Sequence, residues 1–192
     1  KRKHFREVIK KIYKQNYIGM KFQNLNFENF NSNSENELAI AIAKDYANKN
    51  ITSADTKGLI IMGESGVGKT HLAASIANKL IENDKIVLMG RLTTLLDMIK
   101  ETFKDNTKSE NELIELYSNI DMIIIDDLGT ESMNSIKFTE LFNIINTRLL
   151  SQSHTLKTII STNLTLKNLY DTYDERIVSR LVGNYNLCYF FG

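Results

Sequence analysis

Five short apolar runs punctuate the chain: residues 59–62, 86–89, 122–125, 158–160 and 187–191. Each has the length of a strand, is continuous rather than alternating, and is rich in branched residues. That pattern describes strands buried on both faces. Helical periodicity fills the intervals, over 69–82, 93–104, about 110–119, about 135–151 and about 173–182. In the fourth of these, Phe138, Leu141, Phe142, Ile145 and Leu149 recur at helical spacing. Ser109 with Glu112 and Thr172 with Glu175 are read as capping boxes opening the third and fifth. An earlier helix is expected after Ser34 and Glu37, which read as a capping box, with Leu38, Ile42 and Tyr46 on one face and a polar loop from 48 to 57. Strands alternating with helices give a parallel sheet covered on both sides, an α/β fold.

Composition narrows the class. The chain has 192 residues, 42% hydrophobic and 24% charged, which suits one globular domain rather than a disordered chain. No apolar run approaches the length needed to span a bilayer, and no signal-peptide pattern opens the sequence, so a cytoplasmic protein without a membrane partner is expected. A single cysteine, Cys188, excludes an internal disulfide framework and a multi-cysteine zinc site. It sits in an apolar run and reads as a core residue. The net charge of +1 hides an asymmetry: residues 1–21 hold eight Lys or Arg against Glu7 alone, which leaves the remainder at −6. Residues 1–33, basic and then rich in Asn and Phe, read as a leader. A solvated helix is the plain alternative to an arm that meets an acidic partner or nucleic acid.

Directly after the first strand comes Gly63-Glu64-Ser65-Gly66-Val67-Gly68-Lys69-Thr70, followed by His71. It fits G-x-x-x-x-G-K-S/T, and its strand-before, helix-after setting is the one the motif requires. Glycines let successive N–H groups curl around an anion, and the next helix adds its positive end. Lys69 would bring a point charge to the β- and γ-phosphates, and the Thr70 hydroxyl is a hard ligand for Mg²⁺. His71 follows the metal ligand and is expected to pack beside the loop. The run 122–125 ends in Asp126-Asp127, at the strand edge where open α/β sheets bind ligands. Asp126 would hold Mg²⁺ and Asp127 would orient or deprotonate the attacking water. Asn163, at the end of the fourth run, could bond the γ-phosphate or serve as a helix N-cap. Arg176 and Arg180, four apart, share a helical face. Arg91, Lys100 and Lys104 lie on or near the helix after the second strand and could track a nucleic-acid backbone, or simply face solvent.

The wording GESGVGKTHLAASIANKL, IIIDDLGTE, ELFNIINTRL, IISTNL and ERIVSRL, with NLNFENF ahead of it, resembles the AAA+ ATPases of the bacterial replicative helicase loaders, the DnaC/DnaI kind. The transposon-encoded IstB-like ATPases share it. The resemblance covers about residues 22–192. It implies an AAA+ type P-loop NTPase with a five-stranded parallel sheet between helices. Residues 1–33 would then be a linker to a missing N-terminal domain, residues 34–192 the ATPase core, and the lid domain absent or truncated. It further implies ATP, ADP and Mg²⁺ as ligands, Asp126 as the Walker B acid and Asn163 as the γ-phosphate sensor. Arg180, with Arg176 near it, would be the finger that enters a neighbouring subunit's site on self-association. The implied activity is a weak ATPase that contacts single-stranded DNA and helps place the hexameric replicative helicase. Alternatives are a transposition accessory ATPase delivering a transposase, a small-molecule kinase, and an ATP-gated binding module. The usual glutamate after the Walker B acid is here Asp127, one methylene shorter, a departure that bears on hydrolysis rather than on binding.

Overall fold

The computed structural model describes residue 3 and residues 6–9, 21–52, 56–102, 110–151 and 156–191. Lys104, Ser109, His4, His154 and most of the basic leader lie outside the described residues. In chain order the elements are α1 (Glu37–Ile51), β1 (Gly58–Met62), α2 (Lys69–Glu82), β2 (Val87–Gly90), α3 (Leu92–Thr102) and α4 (Glu110–Asn119). β3 (Met122–Leu128), α5 (Ser135–Leu150), β4 (Lys157–Thr162), α6 (Leu166–Thr172), α7 (Glu175–Asn184) and β5 (Tyr185–Tyr189) complete it.

The strands form one parallel sheet in the order β2-β3-β4-β1-β5. Alternate residues feed two cores. Ile60, Met62, Leu88, Ile123, Ile125 and Ile160 face α3 to α7. Leu59, Ile61, Met89, Ile124, Ile159 and Cys188 face α1 and α2. This two-faced burial is why the runs read as continuously apolar. Phe22, Leu25, Phe27 and Phe30 pack against the α1–α2 core, and Ile9 is buried on the opposite side. Among the described residues no helix is long and apolar enough to cross a membrane.

The ends of the elements correct several expectations. Ser34 and Glu37 do not open α1. Asn33 and Asn36 do, reciprocally: the Asn33 side-chain Oδ1 accepts from the Asn36 N–H at 3.0 Å, and the Asn36 side-chain Oδ1 accepts from the Asn33 N–H at 2.9 Å. With that start the inner face is Ala39, Ile40, Ala43, Tyr46 and Ala47, while Leu38 and Ile42 lie outward, 73% and 38% exposed. The helix runs on to Ile51 because Asn50 is buried and its amide donates to the Tyr46 carbonyl. Asp174, not Thr172, caps α7 by accepting from the Arg176 N–H at 2.8 Å. Helix α6, absent from the periodicity reading, is capped by Thr165, so Asn163 is not an N-cap. β5 starts two residues earlier than its apolar run, directly from α7, and as an edge strand it leaves Tyr189 exposed.

Arg148 of α5 holds the sheet end opposite the phosphate loop. Its guanidinium is buried and spends all five N–H groups on neutral acceptors: the Thr158 hydroxyl and the carbonyls of Tyr117, Ile120, Asp121 and Lys157. Burial pulls its pKa down to about 10.

Candidate nucleotide site

Residues 63–68 link the C-terminal end of β1 to the start of α2. Two glycines there are dictated by packing. A Cβ on Gly63 would sit 2.2 Å from the Phe190 carbonyl oxygen, since the chain after β5 runs alongside. Gly68, the N-cap of α2, has φ 106°, and a Cβ on it would meet the Phe30 ring at 2.9 Å. Glu64, Ser65 and Gly66 form the exposed crest. Lys69 is only 5% exposed, and its ammonium donates to the Glu64 carbonyl at 2.6 Å. Burial lowers its pKa; Asp127 and Asp126 both act to raise it. The lysine is thus held at the loop, with two carboxylates in electrostatic range.

The acids lie at the end of β3. Asp126 is buried and accepts from the Thr70 hydroxyl at 2.9 and 3.0 Å on its two oxygens. Ser161 donates to it at 2.6 Å. Burial raises the Asp126 pKa, the Ser161 and Thr70 hydrogen bonds oppose the rise, and Asp127 adds to it. Asp127 is half-buried and pairs with Arg91 at 3.2 Å. Its N–H donates to Ser161 Oγ at 2.8 Å. Glu131 anchors the following loop to α3 by accepting from the Thr93 hydroxyl at 2.9 Å. Phosphate-loop lysine, hydroxyl and both acids therefore form one cluster across β1, β3 and β4.

The other nominated residues fall around this cluster. His71 packs beside the loop: its Nε2 shares a proton with the Asn26 carbonyl and Asn29 Oδ1 at 3.0 and 2.9 Å, and its ring lies 4.6 Å from Phe30. Asn163 is exposed, just past β4. Arg180 bonds Asn146 on α5 at 3.0 Å and the Arg176 carbonyl at 2.9 Å. Arg176 pairs with Asp174 at 2.9 Å, and both arginines lie over the Phe142 ring. They share a face, as their spacing requires, and it is the α5–α7 face rather than the phosphate loop. Arg91 is exposed and Lys100 is exposed on α3. Sequence reasoning missed Ser161, which touches both acids, and the Arg91–Asp127 pair. No residue-type signal marks either one, because both links join residues more than thirty positions apart.

Hard oxygens from a hydroxyl and a buried carboxylate suit Mg²⁺, and glycine-opened backbone with a held lysine suits a polyphosphate. Sheet order and loop together define an AAA+ type P-loop NTPase.

The family model described as the bacterial DnaA ATPase domain matches residues 22–186. Replicative helicase loader DnaC from Buchnera aphidicola subsp. Baizongia pistaciae (strain Bp) is 32% identical over 189 residues, 95% of this chain and 74% of that protein. DnaC from Escherichia coli (strain K12) is 29% identical over 164 residues, 84% of this chain. The match spans 65% of that loader's length. Among solved structures, replication initiator DnaA bound to AMPPCP and single-stranded DNA superposes with a TM-score of 0.71 at 25% identity, over 86% of this chain and 49% of that one. This chain belongs to the family of bacterial replication ATPases that holds the DnaA ATPase domain and the DnaC helicase loaders.

Proposed function

We propose that the chain is the ATPase core of a replicative helicase loader, with the stretch Phe22 to Phe30 built into that core and the basic residues ahead of it leading from a helicase-binding domain. It binds ATP, hydrolyses it slowly, contacts single-stranded DNA and helps place the hexameric helicase in the cytoplasm. The observation that carries this reading is the Lys69–Thr70–Asp126–Asp127 cluster at the mouth of the phosphate loop.

Residues 63–70 cradle the phosphates through their N–H groups, and His71 braces the loop from behind. Lys69 exchanges its Glu64 carbonyl for phosphate oxygens. Thr70 and Asp126 are the groups that would hold Mg²⁺, which when bound neutralises charge on the β- and γ-phosphates. Asp127 orients the attacking water and takes its proton. Asn163 offers its amide to the γ-phosphate. Arg180, with Arg176, reaches the next subunit's nucleotide once subunits assemble, so that hydrolysis depends on assembly; this requires Arg180 to leave Asn146. Arg91, Lys100 and Lys104 supply the DNA contacts. A strand phosphate that takes Arg91 releases Asp127, which ties turnover to DNA.

The test uses the full-length protein as bait. Recovery of a hexameric helicase, with ATP turnover that rises on adding single-stranded DNA, is expected. Recovery of a transposase and no helicase would replace this reading with the transposition accessory one.

A further inference from the structure

The parallel ladder between β3 and β4 breaks at the acids. Ile125 pairs with Ile160, yet Leu128 pairs with Thr162, so Asp126 and Asp127 together face Ser161 alone. This is a β-bulge, and it holds Asp127 at φ 58°, in the left-handed region. In an unbroken strand, successive side chains point to opposite layers. Two consecutive acids could not then serve one site. Here Asp126 meets Thr70 at the start of α2 and Asp127 pairs with Arg91 just past β2, both at the phosphate-loop end of the sheet.

One hydroxyl occupies the break. Ser161 is fully buried. It donates to Asp126 Oδ1 at 2.6 Å and accepts the Asp127 N–H at 2.8 Å. On the far side of the bulge, Thr162 donates to the Leu128 carbonyl at 2.6 Å. Side chains of β4 thus take over the bonds that the ladder loses. We infer that Ser161 is a positioning residue: through the bulge it sets Asp126 and Asp127 on the same side of the sheet, aimed at one nucleotide. The inference rests on the ATPase reading for its consequence, though not for its geometry. Without the hydroxyl, the Asp127 N–H loses the Ser161 acceptor, and Asp127 is free to relax toward ordinary strand geometry.

The experiment compares the wild-type full-length chain with Ser161→Ala and Ser161→Thr. ATP affinity is read by calorimetry, turnover by phosphate release, and the Asp127 amide by hydrogen exchange without nucleotide. In the wild type the Asp127 amide is expected to be as protected as the neighbouring core strands. In Ser161→Ala that protection is lost and kcat falls by about 10²-fold, the scale of a misplaced catalytic group, while ATP affinity stays within about 3-fold, under 1 kcal/mol. Ser161→Thr keeps the hydroxyl and restores protection and turnover. A wild-type Asp127 amide that exchanges like an exposed loop overturns the inference, even if the alanine variant fails to fold. So does a folded Ser161→Ala with wild-type turnover. Should the wild type bind no ATP, the ATPase reading fails on its own, and the exchange measurement still decides the role of Ser161.

Discussion

Replacing Asp126 with Asn should stabilise the fold while ending Mg²⁺-dependent turnover. Asp126 is 5% exposed, and burial raises its pKa despite the hydrogen bonds from Ser161 and Thr70. A carboxyl whose pKa is higher folded than unfolded costs stability once it is ionised. The cost is absent below the unfolded value, and complete above the folded one. Near neutral pH the wild type therefore carries it. Asparagine removes the charge and keeps an oxygen for Ser161, while its amide can donate to the Thr70 hydroxyl, which turns to accept. The expected gain is on the order of 1 kcal/mol, or about 2–4 °C in melting temperature for a chain of this length. Thermal melts in chelator at pH 7.5 read it directly. The gain should shrink as the pH falls toward the ordinary carboxylate range, where the wild-type acid becomes neutral. A variant that melts below the wild type in metal-free buffer at pH 7.5 would refute the desolvation argument.

Two other substitutions probe different parts of the account. Arg148→Met takes five N–H donors out of a buried cluster in which the Asp121 carbonyl keeps the Lys157 N–H but other carbonyls lose their side-chain partner, which should cost about 3–5 kcal/mol and lower the melting temperature by roughly 10 °C or more; a drop under ~2 °C would show the clamp to be dispensable. Mixing Arg180→Ala with Lys69→Ala protein should recover part of the turnover that each lacks alone, since one supplies an intact phosphate loop and the other an intact finger. No recovery at any ratio counts against the trans role.

Patterns that depend on residue type and short spacing were legible in the sequence. The four buried strands β1 to β4, the position of the edge strand β5, α2 and α4 at their observed bounds, the phosphate loop and the paired acids all follow from local apolar runs and glycine placement. What escaped depends on contacts made across the fold. The apolar spacing of Leu38 and Ile42 fits an inner face, but the Asn33–Asn36 cap sets the rotation of α1 and turns them outward. The Asn-rich stretch before it looks like a linker; in the fold, Asn78 of α2 ties it down by donating to the carbonyls of Phe22 and Leu25. Ser161 sits among ordinary strand residues, and only the bulge in the facing strand gives it two acids to hold. Arg148 reads as a helix-end charge until burial and five acceptors surround it.

The central claim is that residues 63–70 grip a triphosphate. Titrating ATP and Mg²⁺ into the wild type and Lys69→Ala by calorimetry tests it most directly. The wild type should bind at one site per chain. Lys69→Ala should bind about 10²-fold more weakly, from the loss of charged hydrogen bonds worth about 1.5–3 kcal/mol each. No heat from the wild type at millimolar ATP, or equal affinity in the two proteins, would contradict it.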